Sequence, residues 1–166
     1  ASATFSGKLG SDVLTVGGGT GSFADKNVGT GKTVTIAGLS LGGTDAGNYV
    51  LASTSATATG SITAAPLTVS GVAVADKTYD GTTAVTLTSA GTLSGLQGGE
   101  TLTLSTGSAA FSDKNAGTNK TVNIAGYSLA DGTGLASNYQ LLTTGLSTTA
   151  TITPAAITAI SGLIAD

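Results

Sequence analysis

The chain contains no cysteine, histidine, methionine or tryptophan, and all six of its basic residues are lysine. Without thiols or imidazoles it lacks the usual nucleophiles, general bases and zinc ligands, and it has no disulfide framework. Without arginine there is no guanidinium fork for bidentate phosphate binding. Charge of either sign is scarce, at 9% of 166 residues with a net of −3, where an ordinary soluble domain carries about a quarter. Nucleic acid and anionic membrane surfaces therefore find no cationic footprint. No apolar run approaches the ~20 residues of a membrane-spanning helix. Ala1-Ser2-Ala3-Thr4 has neither the charged start nor the apolar core of a signal peptide, so the chain reads as a segment of a longer mature protein. Carboxylates, lysines, hydroxyls and four tyrosines remain. That repertoire argues against an enzyme, and we assign no catalytic residue, cofactor or resident metal.

What is present is β-forming. Apolar residues make up 40% of the chain, supplied mainly by Ala, Val, Leu and Ile, beside 31 Thr and 26 Gly. Such hydrophobicity separates it from disordered chains of low charge. Leu67/Val69, Val85/Leu87, Leu102/Leu104, Val122/Ile124 and Ala150/Ile152 alternate with Thr, Ser or Asn. Period two places the apolar side chains on one face of a strand and the polar ones on the wet face. Asp80-Gly81, Gly98-Gly99, Asn115-Ala116-Gly117 and Asp131-Gly132 punctuate these runs; Asp-Gly between alternating runs predicts a tight hairpin. One helical turn fits between Leu129 and Tyr139. The expected architecture is all-β, with antiparallel β-sandwich-like modules of about seven short strands. A parallel β-helix is the alternative, disfavoured because no rung-length repeat is visible.

The strongest signal is internal repetition. Residues 23–38 return as 111–126 with twelve of sixteen positions identical, at an offset of 88. Thr4-Phe5-Ser6-Gly7 matches Thr92-Leu93-Ser94-Gly95 at that offset. Asn48-Tyr49 matches Asn138-Tyr139, and Ala65-Pro66-Leu67-Thr68 matches Ala155-Ala156-Ile157-Thr158, at an offset of 90. A period near 90 residues means one domain per repeat, since solenoids repeat at roughly 20–45 residues. Residues 1–64 are then expected to be a partial repeat lacking its opening strands, 65–154 a complete one, and 155–166 the first strand of a third. The joints at 63–67 and 153–157 leave little slack, which favours a stiff array.

Lys77-Thr78-Tyr79-Asp80-Gly81-Thr82, the Phe-x-Asp-Lys-Asn-x-Gly block and Ser137-Asn138-Tyr139 together resemble the YDG-type repeat. That repeat occurs beside MBG-type repeats in large bacterial exoproteins of the filamentous-haemagglutinin type. The resemblance covers 65–154 well, and also the first unit apart from its Tyr79-Asp80-Gly81 counterpart. It implies a secreted protein of the bacterial cell surface or extracellular matrix, and it brings no catalytic residues.

Other motifs carry weaker chemistry. Gly29-Thr30-Gly31-Lys32-Thr33 mimics the end of a phosphate-binding loop, but Lys26 stands where the motif needs glycine, and Asn119 replaces Gly31 in the second copy. Asp25, Asn27, Asp113 and Asn115 offer oxygens to calcium, which wants six to eight ligands and several carboxylates; capping a turn is the simpler use of Asp-Lys-Asn. An amide cross-link from Lys26 or Lys114 to Asn48 or Asn138 would require a desolvated lysine. The four tyrosines suit a core more than a sugar-binding face.

The expected function is a non-catalytic stalk or spacer in a surface adhesin or matrix protein, its partners being neighbouring repeats of the same chain. Two alternatives are a polysaccharide-binding module and a filament subunit completed by strand exchange between identical chains. In the latter, Ile157, Ile160, Leu163 and Ile164 would form the exchanged segment, because an unfilled sheet edge invites strand addition.

Overall fold

Alternation yields strands at Leu67/Val69, Leu102/Leu104, Val122/Ile124 and Ala150/Ile152, whereas Val85 lies outside the strand that starts at Leu87. The computed structural model, which describes residues 4–162, is all-β, and the chain divides after Thr63 into two compact units. The first unit holds β1 (Thr15–Phe23), β2 (Gly29–Gly42) and β3 (Ser55–Ile62), with a 3-10 turn at Ala46–Asn48. They form one antiparallel sheet in the order β1-β2-β3.

The second unit begins with β4 (Ala65–Ser70), β5 (Ala73–Val74), β6 (Lys77–Thr78), β7 (Leu87–Ser89) and β8 (Thr92–Ser94). It continues through β9 (Leu102–Ser105), β10 (Ser108–Phe111), β11 (Gly117–Ala125) and β12 (Ser128–Asp131). A 3-10 turn at Ala136–Asn138, inside the stretch expected to hold a helical turn, precedes β13 (Tyr139–Leu141) and β14 (Gly145–Thr153). The sheets run β10-β11-β14-β6, β13-β4-β8, β12-β9 and β5-β7.

Two pairings, β13 with β4 and β14 with β6, are parallel, so the module is not uniformly antiparallel, and its eleven short strands exceed the seven expected. Both parallel pairs join segments far apart in sequence, where no turn chemistry announces the contact. They remain isolated, and no continuous stack of parallel rungs exists among the described residues. Asp80-Gly81 does not close a two-stranded hairpin either: β6 pairs with β14, and Ala84 bridges Ala110.

The repeated blocks fold alike. β10-β11-β14 reproduces β1-β2-β3, with Val122 opposite Thr148 as Val34 is opposite Ala58. Both long strands carry a bulge at the same place, between Gly29 and Lys32 and between Gly117 and Lys120. Burial separates the two units. Phe111, Val122, Ile124, Ala150 and Ile152 form a sealed core, covered by Val72, Val74, Val85, Leu87 and Tyr127. Each large side chain so buried contributes about 1.5–3 kcal/mol. In the first unit Val34, Ile36 and Ile62 are only half-buried, and Phe23 is 38% exposed against 3% for Phe111. Four of the covering residues, Val72, Val74, Val85 and Leu87, belong to 72–87, a stretch with no counterpart among residues 4–63.

Residues 154–162, whose beginning matches β4, contain no strand; β4 is a strand only through its pairing with β8 and β13. Leu163 and Ile164 of the expected exchange segment lie outside the described residues.

Candidate functional site: clasped turns and tyrosine ties

The Asp-Lys-Asn block opens the loop before β2 and before β11. Asp25 Oδ1 accepts from the Asn27 amide at 2.8 Å, and Asp113 Oδ1 from the Asn115 amide at 2.8 Å. The same oxygens pair with the ammonium groups of Lys32 and Lys120, and Lys32 Nζ also donates to the Asn27 carbonyl at 2.7 Å. The bulge aims these lysines at the turn. It places two residues of the long strand opposite one of its neighbour, and the second of the two adopts a left-handed conformation, φ +63° at Gly31 and +51° at Asn119. Glycine and asparagine are the residues that tolerate this. Hence the apparent phosphate-loop glycine is a bulge residue, and Asn119 is its equivalent.

The Tyr-Asp-Gly segment is a third clasp of the same kind. Asp80 Oδ1 accepts from Lys77 Nζ at 2.8 Å and from the Thr82 amide and hydroxyl at 2.9 Å each. Lys77 Nζ also donates to the Thr82 carbonyl at 2.9 Å and lies 5.6 Å from the centroid of the Phe111 ring, a cation–π contact. Lys77 first, then the Thr82 donors, hold the Asp80 carboxyl down at about 2. Asp25 and Asp113 are lowered too, chiefly by Lys32 and Lys120 and next by the amides of Asn27 and Asn115.

Two tyrosines act as ties. Tyr49 Oη donates to Asp12 Oδ2 at 2.6 Å and accepts from the Leu9 amide at 3.0 Å. In the second unit Tyr139 Oη donates to Glu100 Oε2 at 2.7 Å and accepts from the Gln97 amide at 3.1 Å. Asp12 raises the Tyr49 phenol above its usual range, because a carboxylate acceptor favours the protonated hydroxyl. The other two tyrosines differ. Tyr127 packs against the core with its hydroxyl buried and unpartnered, and burial raises its pKa. Tyr79 is exposed and borders a shallow cleft of ≈ 420 Å³ with Asn115, Ala116, Pro154, Ala155 and Ile157. The four therefore do not assemble into one aromatic face.

For calcium, Asp25 with Asn27 and Asp113 with Asn115 do come together, but Lys32 and Lys120 place an ammonium against each carboxylate, where a divalent ion would meet a like charge. No group of three or more acidic residues suited to a metal occurs among the described residues. Lys26 and Lys114, considered for amide cross-links, are exposed and lack the desolvation that chemistry needs. The half-buried lysines are Lys32, Lys77 and Lys120. Sequence reasoning gives these no part in closing the turns and does not single out Asp12 or Glu100, although a lysine seven positions after the aspartate recurs in both blocks.

The remaining described carboxylates are also engaged. Asp45 accepts from the Val13 amide at 2.7 Å, Asp76 from Thr151 at 2.6 Å and Asp131 from Ala136 at 2.7 Å. The arrangement fastens loops to strands.

Comparison with curated proteins and with solved structures finds no match. A family comparison does: the YDG domain matches residues 1–58 and again 63–151. On that coverage, and with Tyr79-Asp80-Gly81 folded as a clasped turn, the chain belongs to the YDG domain family.

Proposed function

We propose that this chain is a non-catalytic structural repeat, a stalk or spacer within a secreted bacterial surface adhesin or matrix protein. The setting we infer is that of filamentous-haemagglutinin-type exoproteins, where such units stand beside MBG-type repeats. One observation carries the reading: all eight carboxylates between residues 4 and 162 accept hydrogen bonds from the chain itself. A module that devotes its scarce charge to pinning loops is suited to holding shape, and low lysine content with tight turns suits persistence outside the cell. Only Thr63 and Ala64 separate β3 from β4.

Chains extended by one, two and three further copies of residues 63–151 test this. Small-angle scattering should show the maximum dimension growing by an equal step per copy, and a glycan array should show no saturable binding. Collapse of the longer chains refutes the spacer reading. So does polysaccharide binding that Tyr79→Ala abolishes, which would establish the binding-module alternative.

A further inference from the structure

In the second unit the opening stretch 65–79 and the closing stretch 139–153 run side by side in the same direction. Ala65, Pro66 and Leu67 lie opposite Tyr139, Gln140 and Leu141, and Lys77 and Thr78 lie opposite Ile152 and Thr153, both pairings parallel. The partner stands 74 positions on at Ala65 and 75 at Lys77, so the alignment hardly slips between the two pairings. Further bonds tie the same seam. The Leu142 amide donates to the Leu67 carbonyl at 2.8 Å, the Val69 amide to Thr143 Oγ1 at 3.0 Å, and the Thr151 amide to Asp76 Oδ1 at 2.6 Å. At its far end the Tyr79 amide donates to the Thr153 carbonyl at 2.8 Å. Leu67, Val69, Tyr139, Ala150 and Ile152 are buried along the two stretches, so apolar burial backs the hydrogen bonds on both sides.

Parallel pairing of a module's two ends has a mechanical consequence. The chain enters the seam ahead of Ala65, at one end, and leaves it after Thr153, at the other. Tension along the chain therefore draws 65–79 backward and 139–153 forward, along their shared direction. The two stretches can separate only by sliding, which loads every tie from Leu67 to Thr153 together. Two strands pulled apart from the same end would instead open one bond at a time. Resistance to pulling is governed by the unfolding rate rather than by equilibrium stability, and a seam that must break as a whole slows that rate.

We propose that the seam between 65–79 and 139–153 is a shear clamp, through which the second unit bears tension along the chain without opening. The need to bear tension rests on the spacer reading above; the clamp itself is a property of this unit alone.

Because the chain has no cysteine, force can be applied to the full chain at chosen points. Thr63→Cys with Ala155→Cys, both at exposed residues, sets handles at opposite ends of the seam. Thr63→Cys with Ser137→Cys, also exposed, sets both handles at the end where Ala65 faces Tyr139, so that pulling peels β4 from β13. In single-molecule pulling at one loading rate, the first rupture should need roughly twofold or more force for the 63/155 pair than for the 63/137 pair. Asp76→Ala removes the acceptor of the Thr151 amide and should lower the 63/155 force while leaving the 63/137 force unchanged. The contrast between the two pairs requires no change within the seam, so it decides the matter even where Asp76→Ala fails to fold. Equal forces for the two pairs, a higher force for 63/137, or an equal loss in both from Asp76→Ala overturns the clamp. Equal forces beside scattering dimensions that grow by even steps would remove the clamp and keep the spacer; a strong 63/155 pair beside collapsed longer chains would do the reverse.

Discussion

Ile36 and Ile124 hold the same position in the two copies of the repeated block, but only Ile124 is sealed, at 1% exposure, while Ile36 is half-buried. Sequence identity and structural environment can therefore be separated by one substitution made twice. Ile124→Ala removes roughly three methylene equivalents from the core. At about 0.8 kcal/mol each, the transfer loss is about 2.4 kcal/mol. The cavity left among Phe111, Val122, Ala150 and Ile152 raises the total to about 3–4 kcal/mol. Ile36→Ala forfeits about half the transfer term, and water refills the gap, so about 1 kcal/mol is expected. For a unit near 100 residues, a loss of about 3 kcal/mol lowers the melting midpoint by roughly 12–24 °C. Hydrogen exchange read peptide by peptide distinguishes the two units, following the β11 amides for Ile124→Ala and the β2 amides for Ile36→Ala, with circular dichroism melts in support. Equal losses at the two positions, or a larger one at Ile36, would refute the claim that residues 72–87 seal the second unit and leave the first open.

Acid should weaken the clasped turns in a defined direction. The Asp80 pKa is depressed to about 2 from 3.8, so its stabilisation is fully present above the unfolded value and is lost as pH falls through the folded one. The stability gap between the unmodified chain and Asp80→Asn should then narrow between pH ~4 and ~2, and a gap that stays constant or widens contradicts the assignment. At the bulge, Asn119→Gly should be neutral or slightly stabilising and Asn119→Val should cost about 1–2 kcal/mol, as measured by urea unfolding; equal tolerance of the two would show that φ +51° is not enforced. Tyr139→Phe strands both the Gln97 amide and the Glu100 carboxylate and should cost about 1.5–3 kcal/mol, with faster exchange at the Gln97 amide as the local signature. Gly95→Ala should be more damaging than Gly7→Ala in thermal melts, because both bear the positive φ but only Gly95 faces the Pro66 carbonyl oxygen.

How much of this was legible in the sequence depended on whether the partners were near or far along the chain. Strand existence was legible because Val122/Ile124 and Ala150/Ile152 obey period two whatever they pair with. The pairing of Lys77 with Ile152 was not, since parallel partners so distant share no turn. Asp80-Gly81 misled for a related reason. The dipeptide's turn preference is local and was realised, but the Lys77 ammonium closes the turn onto Asp80 and Thr82, so the following residues leave to meet Ala110 instead of folding back on β6. The clasps show a different limit. Attention to the Lys adjacent to each aspartate selects Lys26 and Lys114, which are exposed, whereas the lysine seven residues on, across a bulge, is the half-buried one that reaches the aspartate. The replacement of Gly31 by Asn119 was the clue to that bulge: the substitution rejects a phosphate loop, which needs the bare glycine backbone, and fits a left-handed position, which accepts either residue. Two copies of one block thus constrain more than one copy can, because the residues that vary between them report the backbone and those that persist report the contacts. By that logic, Asp12 and Glu100 differ in length but remain acidic because each must reach the same tyrosine hydroxyl. Their shared carboxylate is therefore a structural constraint, set by the hydroxyl that each unit's tyrosine presents.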